Sequence, residues 1–198
     1  MRVAPDDLPR DPADLARRIQ AHPAARIELP DPARAAVALV FTPALDLLFI
    51  RRSERAGDPW SGHMALPGGR VEAGDADTRA AALRETREEV GVDLGPARYV
   101  GPIDELSSPV RKGRRRLVVS PHVWLLPAPV ATQPNGEVAR VYWFGVDRLI
   151  RGEGRGVMSW SWQGRDIPMP VVRLGDADIW GITLRIVDDL VTRLKRGR

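Results

Sequence analysis

The 198-residue chain contains no cysteine, which excludes disulfides and thiolate metal ligands and leaves the redox compartment open. It has no apolar run approaching the roughly 18 to 20 residues that a membrane helix needs, so no membrane partner is expected. The opening MRVAPDDLPRDPADL carries several acids and lacks an apolar centre, unlike a secretory signal. A cytoplasmic protein is therefore expected. Lysine is nearly absent, with Lys112 and Lys195 alone, so the positive charge is arginine. There is no internal repeat, no low-complexity tract, no phosphate-binding P-loop, no Gly-x-Ser-x-Gly elbow and no His-Glu-x-x-His pair.

What is present suits one globular domain: hydrophobic residues make up 43% and charged residues 28%, enough to build a core and a solvated surface. The formal net charge is +4. Arginine forks hold phosphate well, which fits an anionic ligand, although a general bias towards arginine accounts for the excess too. Nucleic-acid binding calls for base clustered on one face with interleaved aromatics. The one dense run, residues 111–116, is short and loop-like, so a nucleic-acid partner is not expected and a small nucleotide-containing molecule is.

Read for local structure, Asp11-Pro12 caps a short helix to about Ala21, inside an N-terminal extension covering residues 1–34. AAVALVF (35–41) and LDLLFIRR (45–52) read as a hairpin of strands. Met64-Ala65-Leu66 is a brief strand ending in Pro67-Gly68-Gly69. A helix spans about Asp77 to Val90 and stops at Gly91. Strands follow near 98–106, 117–126 and 138–144, then a helical turn at 146–150 and a second hairpin around 163–166. A closing helix from about Ala177 to Arg196 places Ile179, Ile182, Ile186, Leu190 and Leu194 at helical spacing. Strands mixed with a few helices predict an α/β/α sandwich with a mixed sheet, the main domain running over 35–198.

The chemistry concentrates in LPGGRVEAGDADTRAAALRETREEVGV (66–92). Glu85, Glu88 and Glu89 stand at i, i+3 and i+4, so they share an arc of about 100° on the helix. Leu83, Thr86 and Val90 fall opposite, towards the sheet. Three carboxylates on one face repel unless something positive lies among them, and a hard divalent cation is the natural partner. Glutamates mixed with arginines also make an ordinary solvated, salt-bridged face. Ala81, one turn before Glu85, leaves room for an ion and a phosphate. Arg84 flanks the acids and can orient one of them. Gly68 and Gly69 permit a tight bend that brings a backbone carbonyl close.

The whole arrangement resembles the signature of the Nudix hydrolases. RETREEVGV (84–92) fits its Arg-Glu, Glu-Glu and Gly positions, with Thr86 in place of an apolar residue, and LPGG (66–69) fits the approach. The spacing is one residue long, and Asp75 then takes the place of the spaced acid. This longer form, with Arg52, Ser53, Gly62 and the Pro-Gly-Gly, is most similar to the coenzyme A pyrophosphatase branch. Ile50, Gly57 and Leu66 depart from that branch's upstream pattern, and the loop is one residue longer. Ile179-Trp180-Gly181-Ile182-Thr183 resembles a helix start common there, although plain helix packing explains Trp180 and Gly181 equally.

The resemblance implies a catalytic loop-helix-loop, a Mg²⁺ or Mn²⁺ cofactor and a pyrophosphatase. Glu85, Glu88, Glu89 and the Gly68 carbonyl would be metal ligands, Arg84 would orient Glu85, and either Glu85 or Glu137 would be the base. Glu137, after Asn135-Gly136, also reads as an exposed turn acid. Arg52 is the first candidate for the substrate's phosphates, ahead of Arg51 and Arg55, with Gly69 and His63 beside it. Trp60 either stacks on a base or packs on the surface. His122, within an apolar strand, belongs in the core. Arg114 to Arg116 form a solvated loop or reach a phosphate. Coenzyme A, cut to 4′-phosphopantetheine and 3′,5′-ADP, is the expected substrate. ADP-ribose, a dinucleoside polyphosphate or an oxidised nucleotide are the alternatives. A non-enzymatic nucleotide sensor is disfavoured because all three helix glutamates are kept. A homodimer is compatible with the sequence.

Overall fold

The computed structural model describes residues 8–57, 60–108, 116–162 and 164–196. Asp58 and the basic residues at 111–115, Arg114 and Arg115 among them, lie outside the described residues. The chain runs α1 (Pro12–Gln20), β1 (Ala33–Phe41), β2 (Asp46–Arg52), β3 (Met64–Ala65), β4 (Gly68–Arg70), α2 (Thr78–Val90), β5 (Arg98–Pro102), β6 (Leu106–Ser107), β7 (Leu117–Leu125), β8 (Val138–Gly145), α3 (Val146–Arg151), β9 (Arg155–Trp162), β10 (Arg165–Leu174), β11 (Ala177–Trp180) and α4 (Gly181–Arg196). The expected α/β/α sandwich with a mixed sheet is what forms.

At its centre β1 and β7 pair in parallel, from Ala33 opposite Leu117 to Phe41 opposite Leu125. Both are buried on two faces, which is why both read as nearly continuous apolar runs. β2, β4, β5 and β6 join them antiparallel, and β3 and β8 extend the β2 side. Along β1 the side chains alternate between two cores. Ala35, Leu39 and Phe41 face the layer of α1, α3 and α4, where Leu15, Ile19, Leu149, Val187, Leu190 and Leu194 are buried. Ala36, Ala38 and Val40 face α2, which meets them with Ala81, Ala82 and Val90. Alanine against alanine lets α2 lie close to the sheet.

Three elements differ from the sequence reading; the strand expected near 98–106 forms as β5 and β6, with residues 103–105 between them. Gly68–Arg70 is a strand on β1, because the bend after Pro67 brings the two glycines into register with Val37 and Ala36. The last helix begins at Gly181, since Ala177–Trp180 pairs antiparallel with β10 as the edge of a second, three-stranded sheet. Ile179 is buried there as a strand residue. That sheet is tied to the main one through Asp176, which accepts from Arg140 Nη1 and Tyr142 Oη, each at 3.1 Å. Among the described residues, no helix is long and apolar enough to cross a membrane.

His122 is a buried core residue of β7. Its Nδ1 bonds the Tyr99 hydroxyl at 2.8 Å and its Nε2 the Thr78 hydroxyl at 2.9 Å, so a neutral ring satisfies both partners. Burial, with the positive charge of Arg26 next in effect, pushes its pKa down to about 4. The unfolded chain therefore takes up a proton here at a higher pH than the folded one. The stability linked to this site is complete above about pH 6.5 and is lost as pH falls towards 4. Between pH 7 and 4 the parent protein should lose up to about 3 kcal/mol more stability than His122→Gln in urea unfolding. Parallel pH curves for the two proteins would refute this.

Candidate active site

The site is built where α2 crosses the β1–β4 pair. Asp77 caps the helix start by accepting from the Ala80 amide at 2.7 Å, and Gly91 ends it in the left-handed region. The two glycines before it have different reasons to be glycine. Gly68 has φ +153°, and a Cβ on it would overlap the Ala36 carbonyl oxygen and the Val37 backbone. A Cβ on Gly69 would overlap the Glu85 carboxylate, which packs directly over that bend.

Glu89 is only 3% exposed, and its Oε2 accepts from the Gly68 amide at 2.9 Å. Burial pushes its pKa up to about 7. The Gly68 amide and the charge of Arg52 oppose that rise, while the charges of Glu85 and Glu137 reinforce it. Burial also raises the Glu85 carboxyl, against Arg84, with repulsion from Glu88 and Glu72 adding to the effect. Glu88 is exposed at the rim.

Arg84 organises this negative cluster. It grips Asp75 through Nε at 3.1 Å and Nη2 at 2.9 Å, and donates to the Arg70 carbonyl at 3.0 Å. Its Nη1 bonds Glu85 at 3.0 Å and Glu88 at 3.1 Å. The fork holds Asp75 well below the usual carboxylate range, and the paired acids raise Arg84 above its ordinary value. Asp75 thus anchors Arg84 despite the one-residue shift in spacing.

The arc of acids is graded from buried Glu89 through half-buried Glu85 to exposed Glu88. Among the described residues, no three acidic or imidazole side chains converge as a ready ligand set, for Arg84 stands between Glu85 and Glu88. The helix also packs with a different face from the expected one. Thr86 and Val90 are buried as anticipated, but Leu83 is half-buried and Glu89 lies among the buried residues. The Gly68 amide makes that burial tolerable by supplying a donor. Ala81 is fully buried in the core under α2, so its methyl does not line open space.

Beyond the helix, the Asn135 amide donates to the Glu89 carbonyl at 3.0 Å and the Gln133 amide to the Val90 carbonyl at 2.8 Å. This binds the loop before β8 to the end of α2 and carries Glu137 to the site. The Glu137 carbonyl accepts from the Ser53 amide at 2.8 Å, and its carboxylate pairs with Arg55 at 3.1 Å. Arg52, at the end of β2, bonds the His63 carbonyl through its amide at 3.0 Å. Glu85, Glu89, Arg84, Gly68, Gly69, Arg52 and Glu137 are thus brought together. His63 and Trp60 stand to one side, in ring contact with each other at 5.9 Å between centroids. The charge of Glu72, which acts on Glu85, was not singled out from the sequence; its signal was an acid between the glycine pair and the helix.

These glycines should separate stability from activity. Gly68→Ala meets rigid backbone at positive φ and should cost more than about 2 kcal/mol in urea unfolding. Gly69→Ala displaces only the end of the Glu85 side chain and should unfold within about 1 kcal/mol of the parent while losing about 100-fold or more in turnover. Equal stability losses in the two variants would contradict the geometry.

The NUDIX domain model matches residues 31–160. The human mitochondrial coenzyme A diphosphatase NUDT8 is 29% identical over 204 residues, covering 98% of this chain and 83% of that protein. An uncharacterised fission yeast protein is 40% identical over 111 residues, spanning 54% of this chain and 34% of that protein's length. In fold, the chain resembles a MutT/nudix family protein from Enterococcus faecalis, with a TM-score of 0.51 and 21% identity, over 83% of this chain and 62% of that one. A domain match that contains both the glycine bend and the acidic helix supports one conclusion: the chain belongs to the Nudix hydrolases, which act on pyrophosphate bonds.

Proposed function

We propose that the chain hydrolyses a diphosphate linkage in a nucleotide-containing metabolite, with coenzyme A or its derivatives as substrate and Mg²⁺ or Mn²⁺ as cofactor. The observation that carries the reaction is the placing of the Glu85 and Glu89 carboxylates on the Gly68–Gly69 bend. Support for coenzyme A comes from the name and near full-length similarity of the human relative and from Arg52, Ser53 and Gly62 ahead of the glycines.

The residues suit hard cations. Glu89 is a buried carboxylate with its pKa raised to about 7, as expected of an anion short of positive charge, and Gly69 leaves the room that the Glu85 carboxylate occupies. Glu85, Glu88, Glu89 and the Gly68 carbonyl would hold the ions. Divalent ions so held neutralise diphosphate oxygens and acidify water. Arg84 orients Glu85 and, while the acids are unliganded, balances their charge. Arg52 offers the substrate's phosphates a cation beside the acids. Glu85 or Glu137 accepts the proton of the attacking water. The water's oxygen joins one phosphorus as the bridging P–O bond breaks. For coenzyme A the products are 4′-phosphopantetheine and 3′,5′-ADP.

Mass spectrometry after incubation with coenzyme A, ADP-ribose, a dinucleoside polyphosphate and an oxidised nucleotide, each with Mg²⁺, should find the two coenzyme A products dominant. Dominance of another cleavage would reassign the substrate. Glu88→Gln, at an exposed position, should fold normally and lose about 100-fold or more in turnover. Near-parent Mg²⁺-dependent activity in that variant would remove Glu88 from the metal site.

A further inference from the structure

Four aromatic rings form a row that starts in the loop after β2. Trp60 meets His63 at 5.9 Å between centroids, His63 meets Trp180 at 4.8 Å and Trp180 meets Trp160 at 5.5 Å. The middle of the row is covered and its ends are accessible: Trp180 is 8% exposed, Trp160 is half-buried and Trp60 is 48% exposed. The row continues onto one face of the second sheet. Trp160 lies opposite Ile167 and Met158 opposite Met169, so these four share a face, and Val171 on the same face pairs with Trp180. All four are half-buried, whereas Ser159, Pro168 and Pro170, on the alternate side, are exposed.

This apolar surface is fastened to the polar site. The His63 carbonyl accepts from the Arg52 amide, and Arg52 is one of the charges acting on Glu89. The Thr183 hydroxyl, at the start of α4, donates to the Met64 carbonyl at 3.2 Å and braces the second sheet against β3. Arg52 thus links the row of flat rings, through His63, to the acidic cluster. A nucleotide has the matching pair of parts, a charged phosphate chain and a planar base.

We propose that Trp60 and Trp160, floored by Trp180 and spaced by His63, form the platform on which the nucleobase of the substrate stacks, so that the second sheet selects for the base end. This deepens the diphosphatase reading and rests on it for the position of the phosphates. Stacking on such rings is sequence-tolerant and strong enough to be seen in KM.

The test compares kinetics on coenzyme A with those on 5-phosphoribosyl 1-diphosphate, a diphosphate without a base, together with quenching of tryptophan fluorescence by AMP in the absence of metal. Trp60→Ala and Trp160→Ala should each raise KM for coenzyme A about tenfold, leave kcat within about twofold, leave KM for the base-free compound unchanged, and weaken the AMP quench. Equal KM changes on both compounds, or none on either, overturn the platform while leaving the hydrolase reading intact. A concentration-dependent dimer abolished by Trp160→Ala with the KM ratio unmoved would give the face to a second copy and also overturn it. If the parent hydrolyses neither compound, the diphosphatase reading fails; the platform then stands only if AMP quenches the parent and quenches both variants more weakly.

Discussion

The carboxylate of Glu89, buried and held by the amide of Gly68, is the contact on which the geometry of the site depends. It joins the last turn of α2 to the glycine bend, and so fixes where Glu85 and Glu88 stand relative to the backbone of β4. A buried acid is costly unless it is bonded or neutralised. Here one backbone donor supplies part of what it needs, and its pKa, raised to about 7, registers the remainder. That unmet demand for positive charge is the physical basis for reading the cluster as a place for hard cations.

The surrounding structure keeps that contact in place. Ala36 and Ala38 on β1 and Ala81 and Ala82 on α2 are all buried and small, which lets the helix approach until Glu85 lies over Gly69. Arg84 ties the front of the cluster to Asp75 and to the Arg70 carbonyl. The loop before β8 secures the far end by bonding the carbonyls of Glu89 and Val90. Glycine bend, helix and two loops thus behave as one unit, with acids graded from interior to solvent. The exposed member can adjust to a ligand while the buried one holds the frame.

The aromatic row supplies what that polar unit lacks. Charge handles phosphate but does not distinguish one nucleotide from another. In this chain the apolar surface comes from the three-stranded sheet and the loop after β2, joined to the acids through Arg52 and His63. Reaction and selection would then lie on separate elements linked through Arg52 and His63, which allows the second to vary without disturbing the first.

Much of the frame was legible in the residues themselves. Asp77 and Gly91 marked the helix ends, the apolar runs at 35–41 and 117–126 marked the central strands, and the i, i+3, i+4 spacing placed the three glutamates on one arc. These are local signals, set by backbone geometry and side-chain period. Tertiary structure decided which part of that arc is buried, because the depth of Glu89 depends on the angle at which α2 crosses β1 and on a donor twenty-one residues away. It also decided that Gly68–Arg70 and Ala177–Trp180 are strands, since each is short and becomes one only by pairing with a partner strand. The row from Trp60 to Trp160 belongs to the same class: its rings are distant in sequence, and only the packing of the second sheet against β3 brings them side by side.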